Sequence, residues 1–300
     1  MFACRHETGC LKKADHGILC LAVTLFVLIQ SLNAIYKVVN QGIIKMNRFR
    51  LILDPPLQSA VNMAKDHAIL HGLSMPGVLP ALRLYRWEHA SVTLGYFQKI
   101  DECVNTCYCK KNGIPVTRRE TAGGTVIHHM ELTYSFTLPL NSGIVPVSVE
   151  DSFHSIISPI IDSLRKLSIN AEFRPVNDIV IDNRKISGSA QVRKKGVLQQ
   201  HGTIIMDMDN EIITSALIHD EHKLKKRGFS SAHESITSIR SETGCEINER
   251  FIDDLIVNII KNFACSFNID FSIDGLTDVE CAILELYSKK FASDEWNHKK

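Results

Sequence analysis

Three stretches of the chain set charged or imidazole side chains beside nearly bare backbone. The first spans residues 177–191, NDIVIDNRKISGSAQ. Asn177-Asp178 opens one expected strand and Lys185 stands near the start of the next, so antiparallel pairing can bring carboxylate and ammonium onto one face. Such a pair keeps both groups charged. It can orient a carboxyl or phosphoryl group, or it can be a plain cross-strand ion pair. The small run Ser187-Gly188-Ser189-Ala190 leaves room beside the cation. The second stretch, RRETAGGTVIHH, covers residues 118–129. Glycines let backbone N–H groups approach a ligand without Cβ interference, and successive N–H groups in such a turn can cradle an anion. Arg119 adds a fork of donors that matches carboxylate or phosphate. The alternative is a hairpin turn with surface arginines. The third stretch, QQHGT at 199–203, puts His201-Gly202 inside a strand, where a glycine marks close approach to the backbone. His201, His128 and His129 can equally be structural strand histidines.

The elements that must position these groups are readable from periodicity. Residues 57–72, 149–167, 249–263 and 276–291 carry apolar side chains at helical spacing, most clearly Val149, Phe153, Ile156, Ile157, Ile160, Ile161 and Leu164. Residues 48–53, 82–87, 91–94, 115–119 and 125–138 read as strands. Then 178–181, 185–192 and 197–206 form a meander with turns at Asp182-Asn183 and 193–196. Hairpins mixed with separate helices predict an α+β fold with a mixed or antiparallel sheet and packed helices.

With 300 residues there is one large domain or two small ones, and a net charge of +1 gives no general pull on nucleic acid. The nine cysteines lack a disulfide-framework spacing, and Cys103, Cys107 and Cys109 have no second pair to complete a metal site. Residues 1–46 read as an extension, with an apolar run from Ile18 to Ile29. It is a start site placed too early, a membrane anchor across 18–36, or a signal peptide. The expected organisation is this extension, a catalytic domain at 47–240 and a small helical C-terminal segment at 241–300. The expected location is the cytoplasm, with membrane attachment only through the extension.

The chain has no G-x-x-x-x-G-K-[ST] loop, no G-x-G-x-x-G after a strand, no G-x-S-x-G elbow and no H-E-x-x-H. Taken in order, LRLYRW (82–87), LGYFQ (94–98), RRETAGGTVIHHMELTYSF (118–136), the stretch 177–207, ITSIRS (236–241) and YSKKFASDEWN (287–297) resemble the lipoate–protein ligase and octanoyl/lipoyl transferase family. The resemblance runs from about Arg48 to Asn297 and implies a fold shared with the biotin ligase catalytic domain.

It also implies chemistry. Ligases of this family activate lipoate with ATP to lipoyl-AMP and pass the lipoyl group to a lysine of a carrier domain. By motif, Arg119, Gly123, Gly124, Thr125, Val126 and Ile127 would contact the intermediate. Lys185, the catalytic residue, would bridge acyl carbonyl and phosphate. Asn177 and Asp178 would line the nucleotide side, Asp178 with Mg²⁺, and His128, Gly188, Ser189, His201 and Gly202 would line the site. The carriers implied are the glycine cleavage H protein or the E2 chain of 2-oxoacid dehydrogenases, with a separate accessory-domain protein as a further partner. The lining of the apolar slot for the acyl tail is not assignable.

The family's transferase branch uses a cysteine just before the N-D strand, and Ala171 to Asp178 contains none. The primary expectation is therefore an ATP-dependent lipoate–protein ligase. An octanoyl/lipoyl transferase acting between carriers without ATP is the alternative, and a non-catalytic carrier-binding homologue is the third. Two positions depart from the family pattern. Ala122 replaces a glycine of the triple-glycine turn, and His129 replaces an acid.

Overall fold

The structure, a computed structural model, describes residues 47–218 and 235–299. The apolar run of the extension lies outside the described residues. Among the described residues no helix is long and apolar enough to cross a membrane.

An eight-stranded mixed sheet forms the body. Its chain-order strands are β1 (Asn47–Leu53), β2 (Ala81–Tyr85), β6 (Glu131–Pro139), β7 (Glu172–Arg174), β8 (Asp178–Ile181), β9 (Arg184–Lys194), β10 (Val197–Ile205) and β11 (Ile269–Ile273). The spatial order is β11-β1-β2-β6-β10-β9-β8-β7. β1 runs parallel to both neighbours and the remaining pairings are antiparallel. A second sheet orders β3 (Ser91–Leu94) between β4 (Val116–Arg118) and β5 (Val126–His128). The single strand expected at 125–138 is two strands, because the chain turns at His129-Met130 to move from the small sheet to the large one.

Four long helices pack around the sheets: α1 (Ser59–Gly72), α2 (Val149–Lys166), α3 (Glu249–Phe267) and α4 (Asp278–Ala292), the last lying against α1. Side-chain alternation assigns the faces. β6 sends Leu132, Tyr134, Phe136 and Leu138 to one side and Thr133, Ser135 and Thr137 to the other, all buried. On the apolar side Phe136 stacks on Phe49 at 5.3 Å and meets Phe263 of α3 at 5.1 Å. Ile52 of β1 points the opposite way, onto Ile69 of α1. The buried hydroxyl face of β6 is thus the face beneath α1, and polar groups buried there need partners.

Helix ends are specified locally. Ser148 caps α2 and Asn248 caps α3 through side-chain oxygens. Thr277 and Glu280 form a capping box at α4. Glu280 also receives both terminal nitrogens of the buried Arg50 at 2.6 Å each. A Cβ on Gly72 would strike the Glu280 side chain, so the glycine lets α1 and α4 close over this pair.

Residues 47–300 form one compact unit. The expected boundary at 240/241 therefore does not divide the structure. β11 extends the main sheet beside β1, and Arg50–Glu280 ties β1 to α4.

Candidate active site

Lys185 begins at the edge of a β-bulge. The β8–β9 register shifts between Ile179 and Val180, Val180 pairing with Lys185 and Asp178 with Gly188. Lys185 Nζ lies 2.6 Å from Asp178 Oδ1, while Arg174 donates to Asp178 Oδ2 at 2.9 Å. The ammonium is thereby held in place over the strand. A Cβ on Gly188 would stand 2.5 Å from Lys185 Nζ and 2.7 Å from Cε. The bare position at 188 is space for the lysine's own side chain. We expect Gly188→Ala to keep the fold and melting temperature but to displace the ammonium by about an ångström. Product formation should then fall about 100-fold. Steady-state rates beside a thermal melt check this, and an unchanged rate would detach Lys185 placement from activity.

Sequence suggests Asp178 as an Mg²⁺ ligand. Both carboxylate oxygens are already engaged by cations, and the residue does not line the cavity beside Lys185.

That cavity has a volume of about 180 Å³. Lys185, Asn177, Gly188, Ser189 and Ala190 form one wall, and Gly123 to Ile127 form another. His128, His201, Gly202 and Arg119 also line it. Its apolar lining, which sequence left unassigned, includes Met63, Trp87, Ile205, Ile213, Leu217 and Ile236. Met63 comes from α1, while Ile236 itself forms an isolated bridge with Lys185. No local motif could have collected them.

Asn177 is pinned to β9 through both backbone and side chain. Its carbonyl accepts from Ser189 N at 2.9 Å, and its amide donates to Ser189 O at 2.5 Å. Behind this wall Tyr134 Oη meets Ser189 Oγ at 2.8 Å. Burial pushes the Tyr134 hydroxyl up to about 12, so it stays a neutral partner. Gly202 faces the same pair, where a Cβ would approach Ser189 Oγ and the Tyr134 ring at 2.6 Å.

Arg119 shapes the glycine turn. Its guanidinium donates to the carbonyls of Gly124 at 2.6 Å, Ala122 at 3.3 Å and Thr93 at 3.1 Å, and to Thr121 Oγ1 at 2.9 Å. Burial lowers it to about 10, still charged at neutral pH. With carbonyl and hydroxyl partners, it leaves positive potential in the cavity wall. In the turn only Gly123 takes a positive φ, 111°. Ala122 therefore occupies a conformation open to any residue, and the missing first glycine does not break the turn. His129 is not among the cavity-lining residues.

The histidines divide by partner. His128 stacks on Trp87 at 3.7 Å, with Nδ1 2.6 Å from Glu131 and Nε2 2.7 Å from Thr93 Oγ1. Burial outweighs Glu131 and holds His128 below the usual range, hence neutral. A carboxylate only accepts, so Nδ1 carries the proton and Nε2 accepts from Thr93. His201 bridges Asp66 Oδ2 at 3.1 Å and Thr121 Oγ1 at 2.8 Å. Asp66, missed from sequence, is one turn from Met63 on α1. Burial pushes its carboxyl up, but Arg83 and His201 together hold it below its ordinary value. None of the described cysteines lines the cavity.

With this geometry in place, comparison with known proteins is direct. The family model described as "Lipoyl protein ligase A/B catalytic domain" matches residues 58–264. An octanoyltransferase LipM of Clostridioides difficile is 32% identical over 274 residues, spanning 85% of this chain and all of the relative. Among solved structures, the bi-partite lipoate protein ligase of Thermoplasma acidophilum superposes with a TM-score of 0.73 at 28% identity, covering 84% of this chain and 96% of that one. A lipoate-protein ligase A bound with ATP gives 0.70 at 26% identity, covering 84% and 98%.

Proposed function

The chain is an enzyme belonging to the lipoyl protein ligase A/B catalytic-domain family, and from that premise we propose that it moves an octanoyl or lipoyl group from one carrier protein to another. The acceptor is the ε-amine of a lysine on a lipoyl carrier domain of the H-protein or E2 type. The observation that carries acyl transfer is the placement of Lys185 Nζ against Gly188, fixed by Asp178 in the wall of a cavity with an apolar lining. The octanoyltransferase relatives support a carrier-bound donor over a free acid, in preference to the ligase expected from sequence.

In this reading the acyl tail lies along Met63, Trp87 and Ile213, with its carbonyl toward Lys185. The acceptor amine attacks the donor thioester. A C–N bond forms, the C–S bond breaks, and the departing thiolate takes the proton released by the amine. The Lys185 ammonium stabilises charge that builds on the carbonyl oxygen. Asp178 and Arg174 keep that ammonium oriented. The route needs no protein thiol, in keeping with the cysteine-free lining.

That same lining favours a second reading. Where no thiol is at hand to form an acyl-enzyme, an acyl-adenylate made from ATP and lipoate is the other activated donor. Lys185 would then contact both carbonyl and phosphate, and Mg²⁺ would travel on the nucleotide phosphates and not on Asp178. A separate accessory chain would belong to this reading, as the bi-partite ligase suggests. Pyrophosphate release from lipoate, ATP and Mg²⁺ separates the two. Carrier-to-carrier transfer predicts none above background, whereas pyrophosphate released at the rate of acceptor modification would replace it with the ligase reading.

A further inference from the structure

We propose that His67, His71 and Glu120 form a binding site for a divalent transition metal of the zinc class, fastening α1 to the start of the glycine turn. The two histidines are four residues apart on α1 and so share a face. Glu120 stands between Arg119 and Thr121, two residues past the end of β4. Their ligand atoms all lie within 4.8 Å of one another.

The distances fit a metal site as well as a hydrogen-bonded cluster. His67 Nδ1 is 3.0 Å from Glu120 Oε1, and His71 Nε2 is 3.5 Å from Glu120 Oε2. Bonds of about 2.1 Å to a tetrahedral zinc put neighbouring ligands roughly 3.4 Å apart. Yet Glu120 reaches His67 Nδ1 and His71 Nε2 only with poor hydrogen-bond geometry. His67 Nδ1 and Nε2 and His71 Nε2 are buried without an aligned hydrogen-bond partner. Buried polar atoms of that kind are uncommon and costly. Tyr287 and Phe291 of α4 pack on the His67 ring at 4.3 and 5.4 Å, which fixes its orientation.

Two imidazoles and a carboxylate select zinc, cobalt or nickel over calcium or magnesium. His71 is the most accessible of the three, its side chain 17% exposed, so entry and a completing water come from that side. Glu120 already gathers positive charge. Lys194 Nζ is 3.4 Å and Lys290 Nζ 3.7 Å away. Both contacts are longer than a charge-assisted hydrogen bond of about 2.8 Å. Both stems are partly exposed and can turn to solvent, though Lys290 also lies 3.8 Å over the Trp296 ring. Displacing them limits affinity, so micromolar binding is expected. A bound metal would tie α1, which supplies Met63 and Asp66, to the residues that hold the Arg119 turn.

The test uses the full chain after chelator treatment and dialysis. Titration with Co²⁺ should give the visible bands of a low-coordinate site at one equivalent, abolished by equimolar Zn²⁺. His71→Ala and Glu120→Gln should each weaken binding at least tenfold, while melting as cooperatively as the wild type without metal. X-ray absorption at the zinc edge of the wild-type complex should show nitrogen and oxygen neighbours only, which keeps the proposal testable should either variant fail to fold. Absence of binding, unchanged affinity in both variants, or sulfur in the zinc shell overturns the assignment.

Discussion

Lys185→Ala is expected to lower acyl transfer roughly 10²–10³-fold, the scale seen when one preorganised donor to a developing oxyanion is removed, while leaving the protein folded. The structure separates these effects. Lys185 is partly exposed, and its loss leaves Asp178 paired with Arg174 at 2.9 Å. A partly exposed pair of this kind is worth about 1 kcal/mol or less, so the melting temperature should hardly move. Lys185→Arg should recover little, because a planar fork cannot occupy the compact space over Gly188. Single-turnover rates and thermal melts of both variants measure this. Wild-type single-turnover chemistry in Lys185→Ala would remove Lys185 from the mechanism.

Arg83→Met should have the largest effect on stability, a loss of about 3–5 kcal/mol, as for other broken buried pairs. Arg83 is fully buried, donating to Asp54 at 2.7 Å, Asp66 at 2.7 Å and the Asn62 side chain at 2.6 Å, with its guanidinium 3.8 Å over Tyr85. For a chain of this size the melting temperature should drop on the order of 10 °C. The pH dependence carries the sign. In the wild type the Asp66 carboxyl is held below its ordinary 3.8. Its contribution is therefore present above that value and lost as pH falls through the lowered one. Without Arg83, burial acts with less opposition and raises the Asp66 carboxyl. The variant then loses stability as pH rises through that range, so its deficit should shrink from pH 7 toward pH 4. A deficit that stays constant would mean Asp66 is not the group left unpaired. Because Asp66 also holds His201, catalytic loss should accompany the thermal one.

What sequence could and could not reveal follows from how each feature is built. The Asp178–Lys185 pair was legible because hairpin periodicity placed both groups on adjacent strands. The helix at 149–166 was legible because its stripe begins at the Ser148 cap. β11 was not. Ile269-Asp-Phe-Ser-Ile follows α3 after a single left-handed Asn268, and as an edge strand it buries only Ile269 and Phe271. The apolar slot was invisible because α1, β10 and residues 87, 213, 217 and 236 contribute one side chain each. Arg174 was missed because it reaches Asp178 from the neighbouring strand. The concern over Ala122 dissolved for a backbone reason, since the left-handed position is Gly123.

The most direct test is the intact mass of an acceptor lipoyl domain incubated with the enzyme and an octanoylated carrier thioester, with ATP absent. The proposed chemistry predicts one added octanoyl group per acceptor, on its single target lysine, and loss of that product with Lys185→Ala. An acceptor that stays unmodified under these conditions, but gains a lipoyl group once lipoate, ATP and Mg²⁺ are supplied, would contradict it.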